Sequence, residues 1–381
     1  MKATMQRKLC VVTQPLPKRE GNNGLVIDLL KVLEPLADEI FVVSGNFPEN
    51  TFSQKIRIWN IKNDENKQPK FVRAQKYFLE QIKIAVKMMK LPNDINCVLF
   101  YIGAKPYVLA HIIAKLRRKK TIVIVTGSAA DARNIYGGTF FPMIMISLEK
   151  LAYALADRVV AESKSMIQPL GLKKYEKKIA LSGCFFDINL FQQKKSLSQR
   201  MEYVGYVGRL SEEKGILNFV DAIPLMLKIR GDLNFIIVGD GQLRTRIEES
   251  LISLKLSDKV KLIGWIQRDQ LVHFYNELKL LVVPSYFESI PIVAMEAMAC
   301  GTPVLATAVG GVPDVITDGE NGFILKNNKI ETIAETVIQV LELPKLGAVA
   351  KAAYVSIESG YTFATATEKY RSIFDGMLVK K

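Results

Sequence analysis

The stretch PSYFESIPIVAMEAMACGTPV, residues 284–304, joins the end of an apolar strand to a short apolar helix that contains a carboxylate. The preceding KLLVVPS predicts a buried strand that ends at Pro284. Pro291 suits the first position of a helix, and Gly301 suits the position just after its end. Glu296 therefore falls in the middle of a helix whose other residues are apolar.

A buried carboxylate is costly unless hydrogen-bond donors surround it. The local sequence offers few, so we expect a ligand rich in hydroxyl groups, such as a ribose, to bond Glu296. Glu288 lies eight residues earlier, where a second hydroxylated ring would bind. The alternative is that Glu296 pairs with a distant Arg or with backbone amides. Free amides within residues 289–293, at the helix start, would face an anion in the same crevice. The donor-side candidates of this segment are Ser289, Ile290, Pro291 and Ile292, of which Pro291 has no N–H of its own.

Short β-branched runs alternate with amphipathic stretches along the chain. The first predicted strand lies in KLCVVTQPLP and ends in a loop. The other predicted strands are EIFVVSG, CVLFYIG, TIVIVTGS and DRVVAES, followed by YVGYVGRL, NFIIVGDG, VKLIGW, KLLVVPS and TPVLATA. Such alternation implies parallel strands with crossover helices. The sequence predicts an α/β protein with two doubly wound, Rossmann-like domains, each with a crevice at the carboxyl ends of its strands.

The pattern weakens across FFDINLFQQKKSLSQR, residues 185–200. We therefore predict an N-terminal domain over 1–195 and a C-terminal domain over 196–360. A final helical segment over 361–381 is a candidate to pack on the N-terminal domain. The length of 381 residues, with 49% hydrophobic and 24% charged residues, is typical of a two-domain globular protein.

Positive charge is concentrated in the first half of the chain. Residues 1–200 hold 33 Lys/Arg and 16 Asp/Glu, whereas residues 201–381 hold 19 and 22. The lysine-rich helical segment 76–91 and the cluster KLRRKKT indicate either an anionic membrane surface as partner or an ordinary solvated face. Motifs typical of nucleic-acid binding do not occur, so we expect no nucleic-acid partner.

The four cysteines are far apart and lie mostly in apolar runs, without a CxxC motif. We expect buried free thiols and a reducing compartment. The N-terminal apolar run is too short for a signal peptide, and charges interrupt every long apolar stretch. These features predict a cytoplasmic protein, peripheral on the inner membrane face if the basic surface binds lipid.

A candidate anion site occurs in YVGYVGRLSEEKGI. A strand ends at Gly208, Arg209 and Lys214 flank a loop, and a helix follows from about Gly215. Two cations and a helix start at the carboxyl end of a strand can bind a diphosphate without a metal.

VGRLSEEKG, IIVGDGQLR, VKLIGW and the run from VVPSYFES to NGFIL resemble the C-terminal domain of family 4 retaining glycosyltransferases of the GT-B fold. The likeness spans roughly residues 203–325 and includes the family's E-x7-E pair at Glu288 and Glu296. It implies two domains that face each other across a cleft. The C-terminal domain would bind a nucleotide-sugar donor, and the N-terminal domain would bind the acceptor. We expect the donor to be a UDP- or GDP-sugar, with no cofactor or metal. A lipid-linked acceptor, suggested by the basic first half of the chain, and a polysaccharide are the candidate acceptors.

The resemblance also assigns roles to residues. Arg209 and Lys214 match a diphosphate-binding pair, Glu296 matches the carboxylate that holds the ribose hydroxyls, and Glu288 matches the one that contacts the transferred sugar. Arg209, Lys214 and Glu288 are thus the catalytic candidates. Further donor-side candidates are Gly208, Gly239, Gly241, Trp265 and Ile266. The acceptor-side candidates are Gly21, Gly24, Ser128 and Asp131, the last two lying where family members often carry a His.

The resemblance implies transfer with retention of anomeric configuration. A sugar-nucleotide epimerase of the same architecture is the main alternative, although it would need acid and base groups for proton transfer. A dehydrogenase is disfavoured because GDGQLR places Arg244 where a GxGxxG motif needs its third glycine. A non-catalytic carbohydrate-binding protein would not need the diphosphate site. The sugar, nucleotide, acceptor, linkage and oligomeric state stay open.

Overall fold

The structure, a computed structural model, describes residues 7–15, 23–47, 53–61, 70–104, 106–126 and 140–378. It divides the chain into two compact units. The first unit comprises residues 1–185 and 363–381, and the second comprises residues 186–362. Within the described ranges, no helix is both long and apolar enough to cross a membrane.

The first unit contains a parallel sheet of seven strands in the order β3-β2-β1-β4-β5-β6-β7. Its strands are β1 (Lys8–Val12), β2 (Glu39–Ser44), β3 (Ile56–Asn60), β4 (Cys97–Phe100), β5 (Lys120–Val125), β6 (Arg158–Ala161) and β7 (Ile179–Leu181). In its described part before β6, the α-helices are α1 (Asn23–Leu33), α2 (Lys70–Met89), α3 (Val108–Leu116) and α4 (Phe140–Leu155). Successive side chains of β1 alternate between two buried clusters, so both faces of the sheet are covered.

The second unit contains a parallel sheet of six strands in the order β10-β9-β8-β11-β12-β13. Its strands are β8 (Tyr203–Val207), β9 (Asn234–Val238), β10 (Val260–Gly264), β11 (Leu280–Val283), β12 (Val304–Thr307) and β13 (Phe323–Leu325). Its helices are α5 (Ile216–Ile229), α6 (Arg244–Ser253), α7 (Leu271–Glu277), α8 (Ile292–Ala299), α9 (Val312–Val315), α10 (Ile330–Leu341) and α11 (Leu346–Gly360). Two parallel sheets with crossover helices confirm the predicted fold class.

The order of the second sheet reverses between its neighbouring central strands β8 and β11. At such a switch point the two crossover connections run to opposite sides, and a crevice opens at the carboxyl ends of the strands. The loops after β8 and β11 are therefore the place to look for a ligand site.

The chain passes from the first unit to the second between residues 185 and 186, rather than at the expected 195/196. Residues 186–195 belong to the second unit because aromatic rings hold them there. Phe191 packs between Phe186 and Tyr275, with ring centroids 5.7 and 6.0 Å away. The Asn276 side-chain amide then donates to the carbonyl oxygen of Gln192 at 3.0 Å.

The last helix, α12 (Phe363–Leu378), returns to the first unit. Thr367 Oγ1 donates to the carbonyl oxygen of Val32 in α1 at 3.0 Å. Tyr370 and Phe374 are buried in the same cluster as β1. The first unit is thus built from both ends of the chain.

All four cysteines are buried and free of disulfides. Burial raises the pKa of Cys300 to about 12, and it raises the pKa of Cys10 and Cys97 as well. We expect the thiol reagent dithiobis(2-nitrobenzoate) to label no cysteine in the native protein and all four cysteines after denaturation in guanidinium chloride. Rapid labelling of a native thiol would contradict this burial.

Candidate active site

The loops after β8 and β11 meet at the carboxyl edge of the second sheet. The backbone amide of Tyr286 donates to the carbonyl oxygen of Glu213 at 2.9 Å. Gly215 has a φ of 67°, and a Cβ at this position would collide with the carbonyl oxygen of Pro284. Because glycine has no Cβ, position 215 can adopt this left-handed backbone conformation and the two loops can approach each other closely.

The loop after β9 lies against the same edge. The glycines predicted to line the donor site follow β8 and β9: Gly208, Gly239 and Gly241. A Cβ on Gly239 would collide with the carbonyl oxygen of Gly208. The amide of Gly239 also donates to the carbonyl oxygen of Gly264 at 2.8 Å, at the end of β10. Trp265 and Ile266 come directly after that strand, and the Trp265 ring is exposed.

Glu296 lies in the middle of α8 with only 2% of its surface exposed. Arg268 Nε, from the loop after β10, donates to Glu296 Oε1 at 2.8 Å. Tyr275 OH, from α7, donates to Oε2 at 3.0 Å. The expectation that the chain offers few donors to Glu296 is therefore wrong, and pairing with a distant Arg is what the structure shows.

The two donors to Glu296 are themselves fixed in place. Burial and the nearby Glu296 raise the pKa of Tyr275 well above its ordinary value, so its hydroxyl stays protonated. The Arg268 guanidinium lies over the ring of Phe191, 5.4 Å from its centroid. This cation–π contact and the ion pair hold Arg268 at the edge of the sheet.

Glu288 lies in the loop between β11 and α8, and 5% of its surface is exposed. Lys214 Nζ donates to Glu288 Oε1 at 2.8 Å, and Ser285 Oγ donates to the same oxygen at 2.7 Å. The structure thus brings the predicted Lys214 and Glu288 together across the switch point. Among the described contacts, both bonds end on Oε1.

Arg209 follows Gly208 in the loop after β8. Tyr206 OH donates to its carbonyl oxygen at 2.8 Å, which fixes the backbone. Its side chain is 70% exposed, with Nη1 3.4 Å from Glu213 Oε1. Such an exposed pair is weak, so the guanidinium can turn towards another anion at little cost.

The start of α8 supplies backbone donors. The helix begins at Ile292 after Pro291, and no side chain caps it. The amide of Ile292 donates to the carbonyl oxygen of Ile290 at 2.9 Å. The other amides of a first helical turn have no intrahelical acceptor. Half-buried Ser289 and these amides could therefore receive a negative charge next to Lys214 and Glu288.

The residues expected on the acceptor side lie mostly outside the part of the chain that the structure describes. Gly24 lies in the first turn of α1, whereas Gly21, Ser128 and Asp131 fall outside the described residues. His111 is buried and stacks on Phe100 with ring centroids 3.5 Å apart, which is a packing role. In the described part of the chain, no group of three or more His, Cys, Asp or Glu residues could hold a metal ion.

Sequence reasoning missed Arg268, Tyr275 and Ser285. Arg268 lies in a polar loop segment, QRDQ, that has no periodic signal, and Tyr275 resembles any core aromatic of a helix. Of the three, Ser285 was the easiest to predict as a site residue, because it directly follows the predicted strand end at Pro284.

Residues 187–354 match the family model described as glycosyl transferases group 1. The second unit matches this family along nearly its whole length. An uncharacterized glycosyltransferase of Methanocaldococcus jannaschii is 34% identical over 163 residues, which cover 41% of this chain and 42% of that protein. The chain spans about two fifths of the length of the first curated relatives that it matches.

Two solved structures resemble the chain over nearly its full length. HepE of Anabaena, in complex with UDP, has a TM-score of 0.76 at 18% identity and covers 97% of this chain and 100% of its own. Sucrose-phosphate synthase of Thermosynechococcus elongatus has a TM-score of 0.78 at 20% identity, with the same coverage. At these identities the likeness concerns the fold, and it confirms the predicted GT-B class of two Rossmann-like domains.

The ion pair at Glu296 gives a stability prediction. Arg268→Met should lower the free energy of unfolding by about 2 kcal/mol, because it leaves a buried carboxylate without its cation. Arg244→Met, which breaks the exposed pair of Arg244 with Glu248, is the matched control and should cost at most about 0.5 kcal/mol. Urea unfolding followed by circular dichroism measures both. Equal losses would contradict a structural role for the buried pair.

Proposed function

We propose that the protein transfers a sugar from a nucleoside-diphosphate sugar to an acceptor hydroxyl group, as a metal-independent, retaining enzyme of the family 4 type. One observation carries the proposal. Two buried carboxylates, Glu288 and Glu296, are held by the cations Lys214 and Arg268 at the carboxyl edge of the unit that matches the glycosyl transferases group 1 family.

We assign the ribose of the donor to Glu296. Each carboxylate oxygen has lone pairs for more than one donor, so the bonds from Arg268 and Tyr275 still allow hydroxyl groups to bind. The exposed Trp265 is a candidate contact for the base. HepE structures hold UDP and UDP-glucose, which supports a uridine carrier as the first donor to test, with guanosine as the second.

We assign the transferred sugar to Glu288 and the diphosphate to the cations. Lys214 already engages Glu288 Oε1, so Oε2 is the oxygen that would accept a sugar hydroxyl. As the bond from sugar to phosphate lengthens, negative charge grows on the diphosphate. Lys214, Arg209 and the first amides of α8 would oppose it, and a preorganised donor of this kind contributes about 3 kcal/mol.

We propose that the configuration is retained by attack on the same face, without a covalent intermediate. Both Glu288 and Glu296 are engaged by cations and neutral donors, so we assign neither as a covalent nucleophile. The acceptor hydroxyl would then attack on the face that the phosphate leaves. This stereochemistry is part of the proposal and is read directly from the anomeric configuration of the product.

We assign the acceptor to the first unit, with Gly21, Gly24, Ser128 and Asp131 as candidate contacts. A lipid-linked or polysaccharide acceptor fits a basic unit that sits peripherally on the inner face of a membrane.

A panel of nucleotide sugars tests the proposed reaction. We expect UDP or GDP to be released from one donor, slowly to water and faster with the acceptor, in the presence of a metal chelator. Conversion of the donor to an isomeric nucleotide sugar would instead establish the epimerase. A metal requirement would contradict the metal-independent mechanism.

The role of Lys214 predicts a kinetic change. Lys214→Ala should lower kcat about a hundredfold and change the donor KM much less, because the charge that it opposes develops in the transition state. Lys228→Ala, which removes an exposed lysine near the end of α5, should leave both constants unchanged. Equal turnover of the Lys214 variant and the parent would remove Lys214 from the mechanism.

A further inference from the structure

The helix α2 carries two apolar sides. One packs on the sheet, where Tyr77, Ile84 and Met88 are buried. The other faces solvent, with side chains that recur every three to four residues and are 39–57% exposed: Phe78, Leu79, Ile82, Val86 and Met89. A helix with one solvated face would place polar residues at these positions. The second apolar side therefore needs a further explanation.

The neighbouring helix α3 repeats this arrangement. It buries Ala110 and Ala114 against the sheet. It exposes Leu109, Ile112 and Leu116, at 44%, 41% and 77%, on another side. These positions, at i, i+3 and i+7, also form a stripe along one side of a helix. We call the exposed apolar residues of α2 and α3 together the apolar face.

The two helices are fixed to each other, so the two parts of the apolar face keep a constant relative position. Arg117, just after α3, donates from Nη1 to the carbonyl oxygen of Met88 at 2.8 Å and from Nη2 to that of Leu91 at 2.7 Å. At the other end of α3, Tyr77 OH donates to the carbonyl oxygen of Pro106 at 2.8 Å.

Positive charge is concentrated in the part of the chain that carries the apolar face. Residues 77–120 hold nine Lys/Arg and two Asp/Glu, a net charge of +7. Lys83 in α2 and Lys90, directly after its last residue, are both exposed. With Arg118 they form no ion pair with any residue that the structure describes. Apolar side chains flanked by free cations suit the interface of an anionic membrane.

We propose that the apolar face inserts into the interfacial layer of a membrane that contains anionic lipid, with Lys83 and Lys90 at the headgroups. The inference rests on the membrane association proposed above. To that association it adds the residues that contact the membrane and the insertion of their apolar side chains. It does not depend on the proposed sugar transfer. A second copy is disfavoured as occupant, because a symmetric dimer would bring together two copies of a segment, 77–120, whose formal net charge is +7.

Vesicle co-sedimentation of the full chain tests the surface. We expect binding to vesicles of phosphatidylcholine with phosphatidylglycerol, weaker binding in high salt, and little binding to phosphatidylcholine alone. Equal binding to both compositions, or binding to neither, would overturn the proposal.

Two pairs of variants separate the apolar and charged contributions. Leu79→Ser with Ile82→Ser, and Lys83→Glu with Lys90→Glu, should each weaken binding about tenfold or more. The matched controls, on exposed residues of the second unit, are Ile229→Ser with Ile252→Ser and Lys326→Glu with Lys351→Glu. Wild-type binding by the variants of α2, or equal losses in the controls, would overturn the proposal.

Light scattering and donor turnover complete the test. A wild-type dimer that Leu79→Ser with Ile82→Ser dissociates would identify a second copy as the occupant and overturn the membrane assignment. Release of nucleoside diphosphate to water should stay unchanged in these variants. Loss of vesicle binding with intact turnover supports the membrane surface, whereas intact vesicle binding without turnover on any donor counts against the proposed transferase alone.

Discussion

The second unit depends on supplying hydrogen-bond donors to two carboxylates, Glu288 and Glu296, where little water reaches them. An ionised Glu in an apolar helix is stable only if fixed donors replace its hydration. For Glu296 and Glu288 those donors come from other loops, Arg268 after β10 and Lys214 after β8. Strand order, loop glycines and helix placement all serve to bring these four side chains to one edge. The same charges then become available to a ligand.

Much of this arrangement could be predicted from local sequence. Runs of Val, Ile and Leu between turn residues marked the central strands of both sheets, because strands buried on two faces are apolar throughout. Pro291 and Gly301 bounded α8 closely enough to place Glu296 inside it. The pairing of Lys214 with Glu288 follows from the parallel neighbours β8 and β11, whose carboxyl ends coincide.

What could not be predicted depends on contacts between distant residues. Arg268 and Tyr275 lie 28 and 21 residues from Glu296, and nothing in their local sequence marks them as its donors. The boundary between the units lies earlier than the sequence predicts, because Phe186 and Phe191 join the second unit through aromatic packing, which has no periodicity. The exposed apolar side of α2 could not be predicted either. The spacing of apolar residues identifies a helix, but it does not show which sides of that helix the rest of the protein covers.

The return of α12 to the first unit has a consequence for biosynthesis. Its residues Tyr370 and Phe374 complete a core whose strand β1 leaves the ribosome more than 350 residues earlier. The middle of the chain, 186–362, contains its whole sheet and can fold as soon as it emerges. The N-terminal portion must wait with part of its core uncovered until residues 363–378 are translated. Chaperones that shield nascent apolar surfaces would therefore act first on the N-terminal portion.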